Sequence, residues 1–97
     1  MLNANQSDYL TIKQSTIDAL TRYAEKGVPT GGFLRAVLTN NFSEAVGRAD
    51  DYNRQTLYAI HLFVYNEMPA DCWGSVAKVK AWIDKGGLEG MKIEEQI

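Results

Sequence analysis

The sequence predicts an all-α fold, a compact bundle of about five helices around a central apolar helix. Three observations predict it. Apolar residues recur with a helical period along the 97-residue chain, and no apolar–polar alternation of strand type lasts more than a few residues. Glycine, proline and Asn-Asn breaks cut that pattern into segments of helix length. One segment, Leu57 to Tyr65, is apolar almost all round, which suits a helix at the centre of a bundle or in a subunit interface.

The elements follow in order. Residues 1–6 are polar and read as frayed. Ser7 or Asp8 can cap a first helix from about Tyr9 to Lys26, ended by Gly27. At 100° steps Tyr9, Leu10, Ile12, Ile17, Ala19, Leu20, Tyr23 and Ala24 form its apolar face. Lys13 falls inside that arc, where a charge is costly without a partner. A linker follows, Gly27-Val28-Pro29-Thr30-Gly31-Gly32, and Thr30 can cap the next helix. That short helix runs to about Thr39 and carries Phe33, Leu34, Ala36, Val37 and Leu38. Asn40-Asn41 interrupts it before a second short helix, Phe42 to about Arg48. Asp50 or Asp51 caps the central helix, which reaches about Glu67. A loop marked by Pro69 leads to Ser75, the cap of a last helix to about Lys85, with Val76, Val79, Trp82 and Ile83 inward. Gly86-Gly87 ends it. Residues 88–97 fit a further short helix or a tail.

Composition bounds the function. One domain, residues 1–97, accounts for this length, and such a chain buries roughly 65% of its unfolded surface. Hydrophobic residues make up 45% and charged residues 23%, ordinary for a globular protein. A net charge of −2 argues against a general nucleic-acid or membrane-surface binder. No apolar run is long enough to span a membrane, and residues 1–8 lack the basic and apolar parts of a signal peptide. The single cysteine, Cys72, fits a reducing cytoplasm. With one histidine and one cysteine, no metal or cofactor is expected. Cys72 and His61 can form a nucleophile–base pair only if the fold joins them, and His61 reads better as a core or interface histidine. No catalytic constellation stands out, so a protein that binds rather than catalyses is expected.

Several features suit an anionic ligand. Gly31, Gly32 and Phe33 open a helix, where backbone N–H groups can approach a phosphate; the alternative is a packed turn. Arg35 adds a positive charge. Arg48, Asp50, Asp51, Asn53 and Arg54 crowd one helix junction, where they can grip phosphate and ribose or form a salt-bridged corner. Trp73 can stack a base or staple the last helix. Lys13 can contribute from the first helix or snorkel to solvent.

The stretch from Gly27 to Asn40, Glu44-Ala45, Arg48-Ala49-Asp50, Tyr65-Asn66-Glu67, Pro69 and Cys72-Trp73-Gly74-Ser75 together resemble a group of small proteins of tailed phages and prophages. The resemblance spans roughly residues 17–83. It carries no activity with it, and it implies a phage protein acting in the cytoplasm of an infected bacterium. By analogy with phage proteins that sequester cyclic or ADP-ribose-derived immune nucleotides in pockets of a homo-oligomer, the expected function is a homo-oligomeric sponge for a cyclic nucleotide or ADP-ribose derivative, acting against host defence. The rival expectation is an inhibitor that docks on a host enzyme or complex through an exposed apolar patch. A third, a structural or DNA-associated phage accessory, is disfavoured by the acidic balance.

Overall fold

The computed structural model describes residues 2–90. Those residues are helical and irregular, with no strand among them. Five α-helices follow in order: α1 Gln14–Lys26, α2 Gly32–Leu38, α3 Phe42–Arg48, α4 Asp51–Glu67 and α5 Val76–Lys85. Single 3₁₀ turns at Ser7–Tyr9 and Ala70–Cys72 precede α1 and α5. Residues 87–90 are again helical. The remainder of the ambiguous C-terminal segment, 91–97, lies outside the described residues. Residues 2–6 have no regular structure, yet Leu2 and Ala4 pack against the core.

Local chemistry explains most boundaries. Asn41, Asp50 and Ser75 cap α3, α4 and α5, each side chain accepting a hydrogen bond from the backbone N–H three residues on, Glu44, Asn53 and Lys78. Of the two aspartates read as caps for α4, Asp50 does the work and Asp51 is the first helical residue. Asn40 turns the chain between α2 and α3 with a φ of 62°, a conformation asparagine tolerates better than most residues.

The first helix begins later than its pattern suggests. Ser7–Tyr9 forms a separate 3₁₀ turn, and the Ile12 N–H donates to the Tyr9 carbonyl. This turn lets both Tyr9 and Ile12 point inward while Leu10 stays 71% exposed. Lys13 is therefore the residue that precedes α1, in extended geometry, and its side chain is about half-exposed beside Asp50 and Tyr52. Its place on an apolar helical arc dissolves because no helix passes through it. Thr30 does not cap α2 either. Gly31 occupies that position, and the Thr30 hydroxyl donates to the Gly31 carbonyl. Val76 is 59% exposed, since the first residue after the Ser75 cap faces outward.

The core joins all five helices, with α2 and α3 contributing Leu34, Val37, Leu38 and Ala45. Leu20, Tyr23 and Ala24 meet Ile60, Phe63 and Val64, with Val79 and Trp82 closing the far side. Tyr9 stands edge-on to Phe63, ring centres 5.2 Å apart. The Trp82 indole N–H donates to the Tyr23 and Ala24 carbonyls at 3.0 and 3.2 Å. The Tyr23 carbonyl also accepts from the Gly27 N–H, so the indole matters most for the Ala24 carbonyl, near the C-terminus of α1 where intrahelical donors run out. The Tyr23 hydroxyl donates to the Cys72 carbonyl at 2.6 Å and ties the 3₁₀ turn to α1. Gly27 and Gly87 let the ends of α1 and α5 touch. A Cβ on Gly87 would sit 2.6 Å from the Gly27 nitrogen, and one on Gly27 would sit 2.9 Å from the Gly87 nitrogen.

Candidate functional site

The residues expected to hold a ligand fall into three places. The first is the junction of α1 and α4. There the Lys13 ammonium lies 4.0 Å from the Asp50 carboxylate and 4.7 Å above the Tyr52 ring. The Tyr52 hydroxyl donates to the Thr11 carbonyl. Asp50 accepts from the Asn53 N–H at 2.7 Å, and Arg54 pairs with Asp51 at 3.6 Å. These charges are already engaged with one another, so the junction has the form of a salt-bridged corner. Asn53 Oδ1 is buried there with no hydrogen-bond partner.

The second place is a cleft of about 490 Å³ beside α2, α3 and the start of α5. It gathers Gly32, Arg35, Thr39, Asn41, Glu44, Arg48 and Val76. Arg48 donates to Glu44 at 2.8 Å and lies across Gly32, where an added Cβ would sit 3.0 Å from its Nη1. Gly31 is exposed at the entrance to α2, with open space where a side chain would stand. Phe33 turns away and packs partly buried against the core.

The third place holds Trp73. Its ring meets His61 at 5.7 Å and Tyr65 at 5.9 Å, both edge-on. It packs beside α4, and its indole N–H is buried without a partner. The fold brings Gly32, Arg35 and Arg48 together, and Lys13, Asp50, Asn53 and Arg54 together, but does not join the two groups or Trp73 in one site.

A groove that the sequence did not single out adjoins the cleft; Ala36 and Asn41 line both. It measures about 440 Å³ and runs between the α2–α3 pair and α4. Val37, Phe42, Ala45, Leu57, Tyr58 and His61 supply most of its wall, so it is almost wholly apolar. Phe42 is 72%, Tyr58 80% and Tyr65 66% exposed. His61, read as a core or interface histidine, is not in the core. It faces outward on α4 beside Trp73. The signal for this surface was the apolar circumference of Leu57–Tyr65. One side of that circumference, with Ile60, Phe63 and Val64, enters the core, and the other remains in solvent.

Cys72 is wholly buried. Burial pushes its thiol up to about 12, with a smaller push from Asp71, so at neutral pH the sulfur is protonated and shielded from solvent. His61, out on the surface of α4, is not placed to serve it as a base. Among the described residues no cluster of three His, Cys, Asp or Glu side chains is arranged to hold a metal ion. No described helix is long and apolar enough to cross a membrane.

Compared with known protein families, curated proteins and solved structures, the chain shows no match.

Proposed function

We propose that this chain works by binding a protein, and that the groove between the α2–α3 pair and α4 is its working surface. One observation carries the reading: an apolar groove rimmed by the exposed rings of Phe42 and Tyr58. Aromatic side chains are enriched at protein interfaces, and exposed apolar patches of this kind mark them.

Nucleotide sequestration is the second reading. It rests on Gly32, Arg35 and Arg48 sharing one cleft with a threonine hydroxyl and an asparagine amide. Arginine forks suit phosphate, but Glu44 already holds one of the two, and among the described residues no aromatic ring lines that cleft to stack a base.

Two variants separate the readings. Phe42→Asp places a charge on the groove's rim, and Arg48→Glu inverts the cleft. A protein partner, either a host protein or a second copy of the chain, retained in stoichiometric amount by the wild type and by Arg48→Glu, and lost with Phe42→Asp, supports protein binding. Saturable heat with a cyclic dinucleotide or an ADP-ribose derivative, abolished in Arg48→Glu alone, overturns it in favour of sequestration.

A further inference from the structure

We infer that the partner of this surface is a second copy of the chain, docked across a twofold axis with the two α4 helices antiparallel. The inference rests on the reading of the groove as a protein-binding surface and names its occupant.

The spacing of the outward residues of α4 is the first argument. Tyr58, His61 and Tyr65 are exposed and Leu62 between them is half-buried; the four stand at helical intervals of three, four and seven, so they share one face. That spacing is symmetric about a point between His61 and Leu62. An antiparallel twofold through this point sets Tyr58 of one copy against Tyr65 of the other at both ends of the contact. Closed dimers require such a patch, because a twofold interface must be complementary to itself. Tyr58 lines the groove and Tyr65 does not. The Tyr65 ring of one copy is therefore brought to the Tyr58 wall of the other's groove, twice over.

Charge is the second argument. From Gln55 to Asn66, about 18 Å of helix, α4 carries no Asp, Glu, Lys or Arg, in a chain where 23% of residues are of those types. Its N-terminal turn, by contrast, bears Asp51 and Arg54. Absence of charge with enrichment in aromatic rings is the composition of an interface centre, with charged residues at its rim.

Area is the third. Phe42, Tyr58 and Tyr65 are 72%, 80% and 66% exposed. Aromatic side chains bury about 150–250 Å² each, so these three offer roughly 400 Å² per copy. Doubling by symmetry gives about 800 Å² before Leu57, Leu62 and His61 contribute, which approaches the roughly 1,200 Å² at which specific interfaces begin.

The test is the solution mass of the purified full chain across a dilution series, by sedimentation equilibrium. A dimer is expected that dissociates on dilution. Tyr58→Asp and Tyr65→Asp, both at solvent-exposed positions, are expected to weaken it by about a hundredfold or more each, because every substitution acts twice. Val76→Asp, also exposed but lining the neighbouring cleft, should leave it intact. Leu62→Cys, next to the axis, should form a crosslink between copies on mild oxidation. A monomer at every concentration overturns the inference, and so does a dimer indifferent to both tyrosine substitutions. If the monomer still captures a host protein in a Phe42-dependent way, the occupant is wrong and the protein-binding reading stands. If it captures none, both fail.

Discussion

Two sets of aromatic residues in this molecule behave as different materials. Tyr9, Tyr23, Phe63 and Trp82 are at most 2% exposed, and their polar tips are matched. The Tyr9 hydroxyl donates to Glu67 and accepts from Asn66, Tyr23 reaches the Cys72 carbonyl, and Trp82 reaches two carbonyls of α1. Phe42, Tyr58 and Tyr65 carry comparable rings and leave most of them in water. Phe63 and Tyr65 lie on one helix two residues apart, so intrinsic preference does not separate them. Position on the α4 circumference does. The inward set buries its surface in folding, and the outward set leaves its surface available to the partner proposed above. Substitutions should therefore divide sharply between the two.

The largest effect is expected at Trp82. Trp82→Ala removes the largest fully buried side chain and the donor to the end of α1. A loss of about 3–5 kcal/mol follows from the lost burial of the indole and the cavity it leaves, comparable to the whole stability of a marginal domain. Urea unfolding followed by circular dichroism should show a transition shifted far toward zero denaturant. A small shift would mean that this end of the bundle is not where stability resides.

Tyr23→Phe comes next. It keeps the ring and deletes the hydroxyl, leaving the buried Cys72 carbonyl without its donor. The cost is about 1–3 kcal/mol. The same pair sets an alkaline limit. Burial raises the folded-state pKa of Tyr23, and raises Cys72 from 9.0 to about 12. Between those values the unfolded chain releases the thiol proton while the folded chain retains it. The unfolded state then binds fewer protons, so stability falls as pH rises from about 9 to about 12. Urea midpoints measured across that range should decline, and Cys72→Ala should flatten part of the decline. For the same reason the native protein should resist thiol alkylation at pH 8 and react once unfolded.

A smaller effect separates two neighbouring carboxylates. Asp50→Ala removes the side-chain acceptor for the Asn53 N–H and the neighbour of Lys13, and should cost about 1 kcal/mol. Asp51→Ala removes a side chain that is 95% exposed and engaged with Arg54 at 3.6 Å, and should cost no more than about 0.5 kcal/mol. Equal losses would contradict the assignment of Asp50 as the cap of α4.

The difference between the two aromatic sets also marks how much was legible beforehand. Helix class, order and most boundaries were, because capping and helix-stopping chemistry is local: Asn41, Asp50, Ser75, Gly27 and Gly86 act within a few residues. The start of α1 was not. Its delay serves the burial of Tyr9 against Phe63, a contact with a helix more than fifty residues away. The candidate site was legible in fragments. Gly32, Arg35 and Arg48 do meet, but Lys13 turns to Asp50 and Trp73 to His61. Which fragments converge depends on the crossing of α2, α3 and α4, and periodicity along a chain does not encode that crossing. The groove escaped for the same reason. Phe42 and Leu57 look like ordinary core residues until the helices that should cover them are seen to stand apart.

The smallest expected effect gives the sharpest contrast with Trp82. Tyr58→Ser deletes an aromatic ring of similar bulk, yet 80% of the residue is in solvent. At high dilution its urea midpoint should match the wild type to within about 0.5 kcal/mol, the usual range for surface substitutions. Raising the protein concentration separates them. Association that engages only the folded state adds stability by mass action, so the wild-type melting temperature should climb with concentration while that of Tyr58→Ser stays flat. The ring would then contribute nothing to the fold of one chain and a measurable amount to the fold of two. A Tyr58→Ser chain as destabilised at high dilution as a core variant would place the ring in the first set of aromatics and remove the division between them.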